Sequence, residues 1–298
     1  MADRGEFEAF LEWGGAPSGS LVVYDITEEE GHLRSAVSVA TTTSEIPAFL
    51  FVPTGDAVGA VVVVHQHAGQ RHLGKSEVAG LAGDPLLAWG PMLAIRGFIV
   101  LAPDMIGFED RRSSGPGTDE RPDDADRHYH AMSSRLARGR MLMSDVVEDV
   151  AASVTALSTY APGLPIGVAG HSFGGTTALF TAALDDRVAW MVSSGAAGTI
   201  ASRIESGAGL EFSLVMPGFI RQWDMGDVLE LVAPRPALVM SAEDDPYSTD
   251  AGRVVDQARP AWGDSSGDLA HLRYEGGHAL TADRVDDAIR WISERSVV

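Results

Sequence analysis

Residues 170–175 read Gly-His-Ser-Phe-Gly-Gly, directly after the apolar run 165–169 and before a stretch rich in small residues at 176–184. This order is typical of a strand, a sharp turn that carries a serine, and a helix. The turn strains the serine backbone and holds the hydroxyl clear of the sheet edge, where a substrate and a base can both reach it. The glycines are expected because the two backbones pass too close for a Cβ atom. Ser172 is therefore the predicted nucleophile.

A second Gly-x-Ser-x-Gly match occurs at residues 263–267. No apolar strand precedes it, and no helical pattern follows it. Its Gly, Ser and Asp residues are typical of turns, where they serve the backbone conformation. We interpret this stretch as a loop, because it lacks the strand and helix that flank residues 170–175.

The composition indicates a folded protein with a full core. The chain has 298 residues, of which 45% are hydrophobic, and this suits one large α/β domain over residues 1–298. No uninterrupted apolar stretch approaches the roughly 18 residues of a membrane span. The acidic start of the chain does not resemble a signal peptide. We therefore expect no association with a membrane.

Charge and cysteine content restrict the partners and the compartment. The formal net charge is −20, so nucleic-acid phosphates and anionic lipid surfaces would be repelled. With 0 cysteines, the chain has no disulfide, no thiolate metal site and no cysteine nucleophile. We expect a cytoplasmic protein with a small-molecule substrate and no nucleic-acid partner. The sequence leaves open whether it forms homo-oligomers.

Short apolar runs alternate with helical patterns along most of the chain. The clearest helical pattern covers 141–160, and another begins after Thr281. Alternation of this kind predicts an α/β fold with a mostly parallel, doubly wound sheet and helices on both faces. A polar, partly helical lead and an antiparallel hairpin, formed by 33–40 and 48–52, are predicted to precede it. The predicted buried strands are 60–64, 98–101, 166–169, 188–192, 237–240 and 269–274.

Two segments do not fit this alternation. Residues 107–140 are polar and rich in Gly, Arg, Asp and Ser, and residues 198–230 carry apolar side chains between turn-forming residues. Each is a candidate excursion over the sheet or part of a cap. Ordinary packing of a surface loop is the alternative for both segments.

A serine hydroxyl needs a base to take its proton, and two histidines follow Ser172 in the chain. His271 lies inside the run 269–274 and is expected to be a strand or surface residue. His278 comes after that strand, and the two glycines before it allow the chain to turn the imidazole back over the sheet. His278 is therefore the predicted general base.

The base needs a carboxylate to orient it, and in this architecture the acid comes between the serine and the histidine in the chain. Three carboxylates in a row, residues 243–245, follow the strand 237–240. Asp245 is the favoured acid because it lies farthest past the end of the strand, just before Pro246. Asp244 remains the alternative.

A tetrahedral intermediate needs backbone N–H donors around its oxyanion. One donor is predicted at Phe173, the residue after the nucleophile. The other is predicted in the loop after strand 60–64, at His67 or, as second choice, at Gln66. His65 and His67, with His72 and Glu77 nearby, also raise the alternative of a metal site. We expect no metal and no cofactor, because no further ligand spacing follows and the serine chemistry needs none.

From about Ile46 to its end, the chain resembles the α/β-hydrolase superfamily, and within it the dienelactone-hydrolase-like and acetyl-xylan-esterase-like bacterial branch. The resemblance implies an α/β-hydrolase fold and a Ser-His-Asp hydrolase. The stretches that carry it are 65–69, 96–98, 102–104, 107–108, 170–175, 233–236 and 276–278.

The chain departs from the family pattern in ways that bear on its activity. Gln66 stands where a glycine is usual, and Ala242 stands where a glycine commonly ends the acid strand. Dienelactone hydrolases use a cysteine nucleophile, so that activity is not implied for a chain with Ser172. Asp104 is expected to be structural.

The predicted function is hydrolysis of a carboxylic ester of a small or hydrophobic molecule through an acyl-enzyme. The alternatives are amide cleavage, C–C bond hydrolysis or a cyclisation in a biosynthetic pathway by the same triad. A catalytically silent binding module is a third hypothesis.

Overall fold

The computed structural model describes residues 2–295, and a nine-stranded sheet runs through the centre of this part of the chain. The strand order across the sheet is β1-β2-β3-β5-β4-β6-β7-β8-β9. The strands are β1 (Ser20–Glu29), β2 (His32–Ala40), β3 (Glu45–Pro53), β4 (Gly59–Val64), β5 (Phe98–Pro103), β6 (Ile166–His171), β7 (Val188–Ser194), β8 (Ala237–Ala242) and β9 (Leu269–Tyr274).

The helices connect these strands and cover the sheet. They are α1 (Arg4–Phe10), α2 (Lys75–Val78), α3 (Trp89–Ala94), α4 (Asp124–Leu136), α5 (Leu142–Tyr160), α6 (Phe173–Leu184), α7 (Ile200–Ser206), α8 (Met225–Glu230), α9 (Ala251–Ala258) and α10 (Ala282–Ser293). Within the described residues, no helix combines the length and the apolar character that are needed to cross a membrane.

Strands β4 to β9 run parallel to one another, and β3 joins them antiparallel through β5. From β4 the chain adds β5 on one side and then β6 on the other side of the same strand. This change in the direction of strand addition is the switch point typical of doubly wound sheets. The predicted α/β fold, with a mostly parallel sheet and helices on both faces, is confirmed. The carboxyl ends of all six parallel strands therefore meet at one edge.

The N-terminal part of the sheet is larger than the sequence predicted. The hairpin of β2 and β3 is present, but β1 pairs antiparallel with β2 along its whole length. The sequence of this region predicts a polar, partly helical lead, but only α1 is helical there. The pattern was missed because β1 is an edge strand with most of its side chains exposed, so it shows no buried face.

Two hydrophobic cores lie on the two faces of the sheet. Along β4, Ala60, Val62 and Val64 point into one core, while Val61 and Val63 point into the other. A strand buried on both faces reads as a continuous apolar run, which is why the sequence identified β4 to β8 well. Helices α5, α6, α8 and α9 fill the first core, and α3 and α10 fill the second.

The two segments outside the alternation contain short elements. Residues 107–140 hold α4 and a short 3₁₀ turn, and residues 198–230 hold α7, α8 and two such turns. Residues 263–267, expected to form a loop, lie in a stretch of 3₁₀ turns that is interrupted at Gly263, and Ser265 is exposed. No strand leads into Ser265, so it lacks the setting of Ser172.

Candidate active site

Ser172 lies at the turn between β6 and α6 with φ 56° and ψ −120°, a conformation that L-residues rarely adopt. The close packing that the glycines were expected to permit is present. A Cβ atom on Gly174 would lie 2.1 Å from the Val64 oxygen, and one on Gly170 would lie 2.6 Å from the same oxygen. The turn therefore holds the serine against β4 and at the carboxyl edge of the sheet.

The structure brings the three predicted side chains into one hydrogen-bonded chain. The Ser172 Oγ and His278 Nε2 are 2.8 Å apart, and the His278 Nδ1 and Asp245 Oδ1 are 3.0 Å apart. The residues come from three different connections, after β6, β8 and β9. With Nδ1 donating to the carboxylate, Nε2 of a neutral His278 is left as the acceptor for the serine proton.

Asp245 is 1% exposed, whereas Asp244 is exposed to solvent. Burial opposes ionisation of Asp245, but His278, the Ser248 hydroxyl and the Tyr247 N–H outweigh it and keep the pKa of this carboxyl below its ordinary value. Ser248 donates to Oδ2 at 2.6 Å, and the Tyr247 N–H donates to Oδ1 at 3.0 Å. The geometry therefore selects Asp245 over Asp244 as the partner of the imidazole.

The loop that carries His278 is held by Arg284 of α10. Its guanidinium donates to the carbonyls of Glu275, Gly277 and Ala279 at 2.7–2.9 Å. The sequence analysis did not identify this residue, because an arginine on a helix face gives no local sign that it closes the preceding loop. The imidazole itself packs between the rings of Tyr247 and His171, with centroid distances of 4.8 and 4.9 Å.

The predicted oxyanion donors have different surroundings. Phe173 is the first residue of α6, so its N–H belongs to the first turn, where N–H groups have no partner within the helix. His67 lines the same cavity as Ser172. Gln66 does not line that cavity; its side chain donates to Glu77 at 3.1 Å. Of the two loop candidates, only His67 therefore lines the cavity together with Ser172 and Phe173.

Two of the histidines considered as metal ligands, His65 and His67, form hydrogen bonds with backbone groups. The His65 Nε2 accepts from the Met105 N–H at 3.2 Å, and its Nδ1 donates to the Gln66 carbonyl at 2.7 Å. The His67 Nδ1 accepts from the Gly69 N–H at 2.9 Å. Burial lowers the pKa of His65 to about 4 and, with the charge of Arg71, that of His67 to about 3, so both rings are neutral at pH 7.

A carboxylate cluster also lies near this loop, but its negative charge is already paired with a lysine side chain. Asp104, Glu109 and Asp110 present oxygens within 4.8 Å of one another. The Lys75 ammonium ion-pairs with all three, at 2.6 Å from Asp110 and 3.6 Å from Asp104. Burial raises the pKa of Asp104 to about 8, with Lys75 opposing the shift. Asp104 is 0% exposed and accepts from the Asp110 N–H, in line with the structural role expected for it.

A cavity of about 540 Å³ opens above Ser172. Its wall includes residues 203–214 of the second segment and Ala125 of the first, so both segments reach the site. Phe212, Leu210 and Leu214 supply apolar surface, and three of the other lining side chains are charged. The charged ones are Arg71, Arg203 and Glu211, none of which the sequence analysis had identified.

Two of the charged wall residues, Arg71 and Arg203, are buried and lie over aromatic rings. The Arg71 guanidinium lies between the rings of Phe108 and Phe212, 4.8 and 5.1 Å from their centroids, and its Nη1 is 3.9 Å from Glu211. Burial lowers the pKa of Arg71 to about 10. Arg203 donates to the carbonyls of Ala196 and Tyr247, which ties α7 to the acid loop.

Comparison with known proteins agrees with this architecture. The sequence model of the dienelactone hydrolase family matches residues 46–194, half of the chain. A protein of Bacillus subtilis (strain 168) with the name "Putative hydrolase YtaP" is 25% identical over 267 aligned positions, and the alignment covers 83% of each chain.

Two solved structures show the same fold. One, described as a "putative acetyl xylan esterase" from Bacteroides fragilis NCTC 9343, has a TM-score of 0.69 and 16% identity, covering 91% of this chain and 73% of its own. A glucuronoyl esterase from Teredinibacter turnerae T7901 has a TM-score of 0.66 and 17% identity, covering 98% and 84%. At these identities the likeness establishes the fold alone.

Proposed function

This chain belongs to the dienelactone hydrolase family, and on that premise we propose that it is a serine esterase acting through an acyl-enzyme. The observation that carries the proposal is the continuous hydrogen-bonded chain from the Ser172 Oγ through His278 to Asp245, open to a cavity of about 540 Å³. The family's name does not supply the reaction, because this chain has 0 cysteines and its nucleophile is a serine.

In the first half of the reaction, His278 Nε2 takes the Ser172 proton as Oγ attacks the ester carbonyl carbon. Asp245 holds the ring in the tautomer whose Nδ1 donates, and it stabilises the imidazolium that forms. The negative charge that develops on the carbonyl oxygen is met by the N–H groups of Phe173 and His67. Collapse of the intermediate breaks the ester C–O bond, and His278 returns the proton to the departing alcohol.

In the second half, a water molecule replaces the alcohol. His278 takes a proton from that water as its oxygen attacks the acyl carbon, and the same N–H groups receive the oxyanion. Collapse releases the carboxylic acid, and His278 returns the proton to the Ser172 oxygen. No group beyond the triad, the two N–H donors and water is needed for the proton balance.

An ester is the preferred substrate because structural neighbours that share the fold are named as esterases. The cavity volume favours a small molecule, and Phe212, Leu210 and Leu214 offer apolar contact to part of it. Amide cleavage, C–C bond hydrolysis and a cyclisation remain second candidates, since the same triad serves these reactions. A silent binding module is less well supported, because such a protein has no need for an aligned triad.

The test replaces Ser172 and compares it with the serine of the second Gly-x-Ser-x-Gly match. Ser172→Ala should abolish hydrolysis of short p-nitrophenyl esters, with a loss on the order of 10⁶-fold in kcat, and should leave the melting temperature unchanged. Ser265→Ala should remain active. Retained ester hydrolysis in the Ser172→Ala variant would show that the assignment is wrong. Cleavage of amides but not of esters by the unmodified protein would favour the second candidate reactions.

A further inference from the structure

A second cavity, distinct from the catalytic one, is lined by other residues of α4. Its volume is about 310 Å³, and it lies between the loop 106–113 and α4. Ala125 of α4 lines the catalytic cavity, whereas Asp124 and His128 line the second one. The triad uses none of the residues that line it.

The lining of this cavity is unusual for a chain with a net charge of −20. Four arginine side chains border it: Arg111, Arg112, Arg127 and Arg135. They come from the segment 107–140, where seven arginines balance seven aspartates and glutamates. The cavity therefore gathers guanidinium donors in a segment without net charge, although the chain as a whole is acidic.

The two carboxylates that border the cavity are already occupied. Asp124 accepts from Arg112, from the Ser114 hydroxyl and from the Arg121 N–H. Asp110 accepts from Lys75 at 2.6 Å and from the Gly117 N–H at 3.0 Å. Bound in this way, the two carboxylates have little capacity left to accept hydrogen bonds from a ligand. They also do not bind the lining arginines other than Arg112.

Arg112 is also committed. Its three nitrogens donate to Asp124 and to the carbonyls of Glu109, Gly117 and Asp119. It is 6% exposed, so we assign it the role of shaping the loop.

The other three arginines keep free donors. Arg111 is bonded through Nη1 alone, to Asp149 at 2.5 Å and to a backbone carbonyl; Arg127 is bonded through Nε alone, to Asp123 at 2.5 Å. Arg135 donates through Nε to Asp145 at 2.5 Å and through Nη1 to the Ala131 carbonyl at 3.0 Å. Within residues 2–295, their remaining nitrogens have no hydrogen-bond partner. These side chains are 15%, 50% and 28% exposed, so a solute can reach them.

The inner wall of the cavity adds one neutral polar group. His128 is 3% exposed, and its Nε2 has no hydrogen-bond partner among the described residues. Its ring packs against Phe108 and Phe212, with centroid distances of 5.5 and 5.4 Å. Burial and the charge of Arg71 lower its pKa to about 3, so it presents no positive charge of its own at pH 7.

We propose that this second cavity binds a phosphate group through Arg111, Arg127 and Arg135. Guanidinium forks that retain free N–H groups match the oxygens of a tetrahedral oxyanion, and charge-assisted bonds of this kind are among the stronger hydrogen bonds in proteins. The volume lies at the lower end of the range for small-molecule sites. It therefore accommodates either free phosphate or a small phosphate monoester, which share the recognised group.

The experiment measures binding by calorimetry with inorganic phosphate and, separately, with glycerol 3-phosphate, at constant ionic strength set by chloride. The unmodified protein should bind at least one of them saturably at millimolar concentrations. The double variant Arg127→Gln/Arg135→Gln should weaken that affinity about tenfold. Both side chains are partly exposed, and Asp145 keeps Arg140 as a partner, so the variant should fold. Tighter binding of glycerol 3-phosphate would identify a phosphorylated molecule as the guest, and tighter binding of phosphate would identify the free ion.

Arg138→Gln is the matched control. Arg138 is exposed, lies two residues after α4 and does not line the cavity, so its replacement removes one positive charge from the same segment without touching the site. It should bind phosphate as the unmodified protein does. An absence of saturable binding for both probes, or equal weakening in the Arg138→Gln variant and the double variant, would overturn the proposal. Because the readout is binding, the outcome is independent of the esterase proposal.

Discussion

The proposed triad and the wall of the cavity above it belong to one candidate site but are built in different ways. Ser172, Asp245 and His278 each follow a strand of the parallel sheet at its carboxyl edge. The wall includes Arg71, Ala125 of α4 and lining residues between Arg203 and Leu214, none of which belongs to a strand of the sheet. Strand register therefore positions the triad, whereas side-chain packing positions the wall.

This difference separates two kinds of function. Ser172 is locked by backbone contacts with β4 that leave no room for a Cβ atom on Gly170 or Gly174. The wall depends on contacts such as the stacking of Arg71 between Phe108 and Phe212. We expect changes in the triad to remove the chemistry, and changes in the wall to alter which ester is accepted.

After the loss of the Ser172 hydroxyl, the next largest effect is expected from Asp245, the proposed acid. Asp245→Asn keeps the shape but removes the charge and the preferred tautomer of His278, so kcat should fall about 10⁴-fold. Asp244→Asn, at the exposed neighbouring position, should leave ester hydrolysis unchanged. The measurement is steady-state kinetics with a p-nitrophenyl ester. Equal losses in the two variants would contradict the placement of the acid.

Local sequence predicted much of the fold, and it predicted the three residues that the structure brings together at the candidate site, because their signals are short. The buried strands β4 to β8 appear as continuous apolar runs, and residues 170–175 show the turn directly. For the acid, the sequence reduced the choice to Asp245 and Asp244, and only the burial of Asp245 against His278 separates the two.

The cavity wall could not be predicted in the same way. Arg71 and Glu211 are 140 positions apart, and nothing in either neighbourhood indicates that they meet. Strand β1 was missed for a related reason, because an exposed edge strand has no alternating buried face. Features that depend on long-range side-chain packing leave no local periodicity to detect.

A smaller effect is expected from the wall. Phe212→Ala enlarges the cavity and removes one of the rings that hold Arg71, so the relative kcat/KM for short and bulky acyl esters should change by about tenfold. Ile220→Ala, at a position in the same segment that is 51% exposed, is the matched control and should change neither value. A loss of all ester hydrolysis in Phe212→Ala, with the fold intact, would mean that the wall also positions the triad.

The most direct test of the account is active-site labelling with a small fluorophosphonate, followed by peptide mapping. A serine activated by His278 and Asp245 should attack the phosphorus, displace fluoride and carry the label at Ser172 alone. The Asp245→Asn variant should label far more slowly, and Phe212→Ala should label at nearly the unmodified rate. A label on Ser265 or another serine, or ester hydrolysis that continues in a protein that takes no label, would contradict the proposal that Ser172 is the nucleophile.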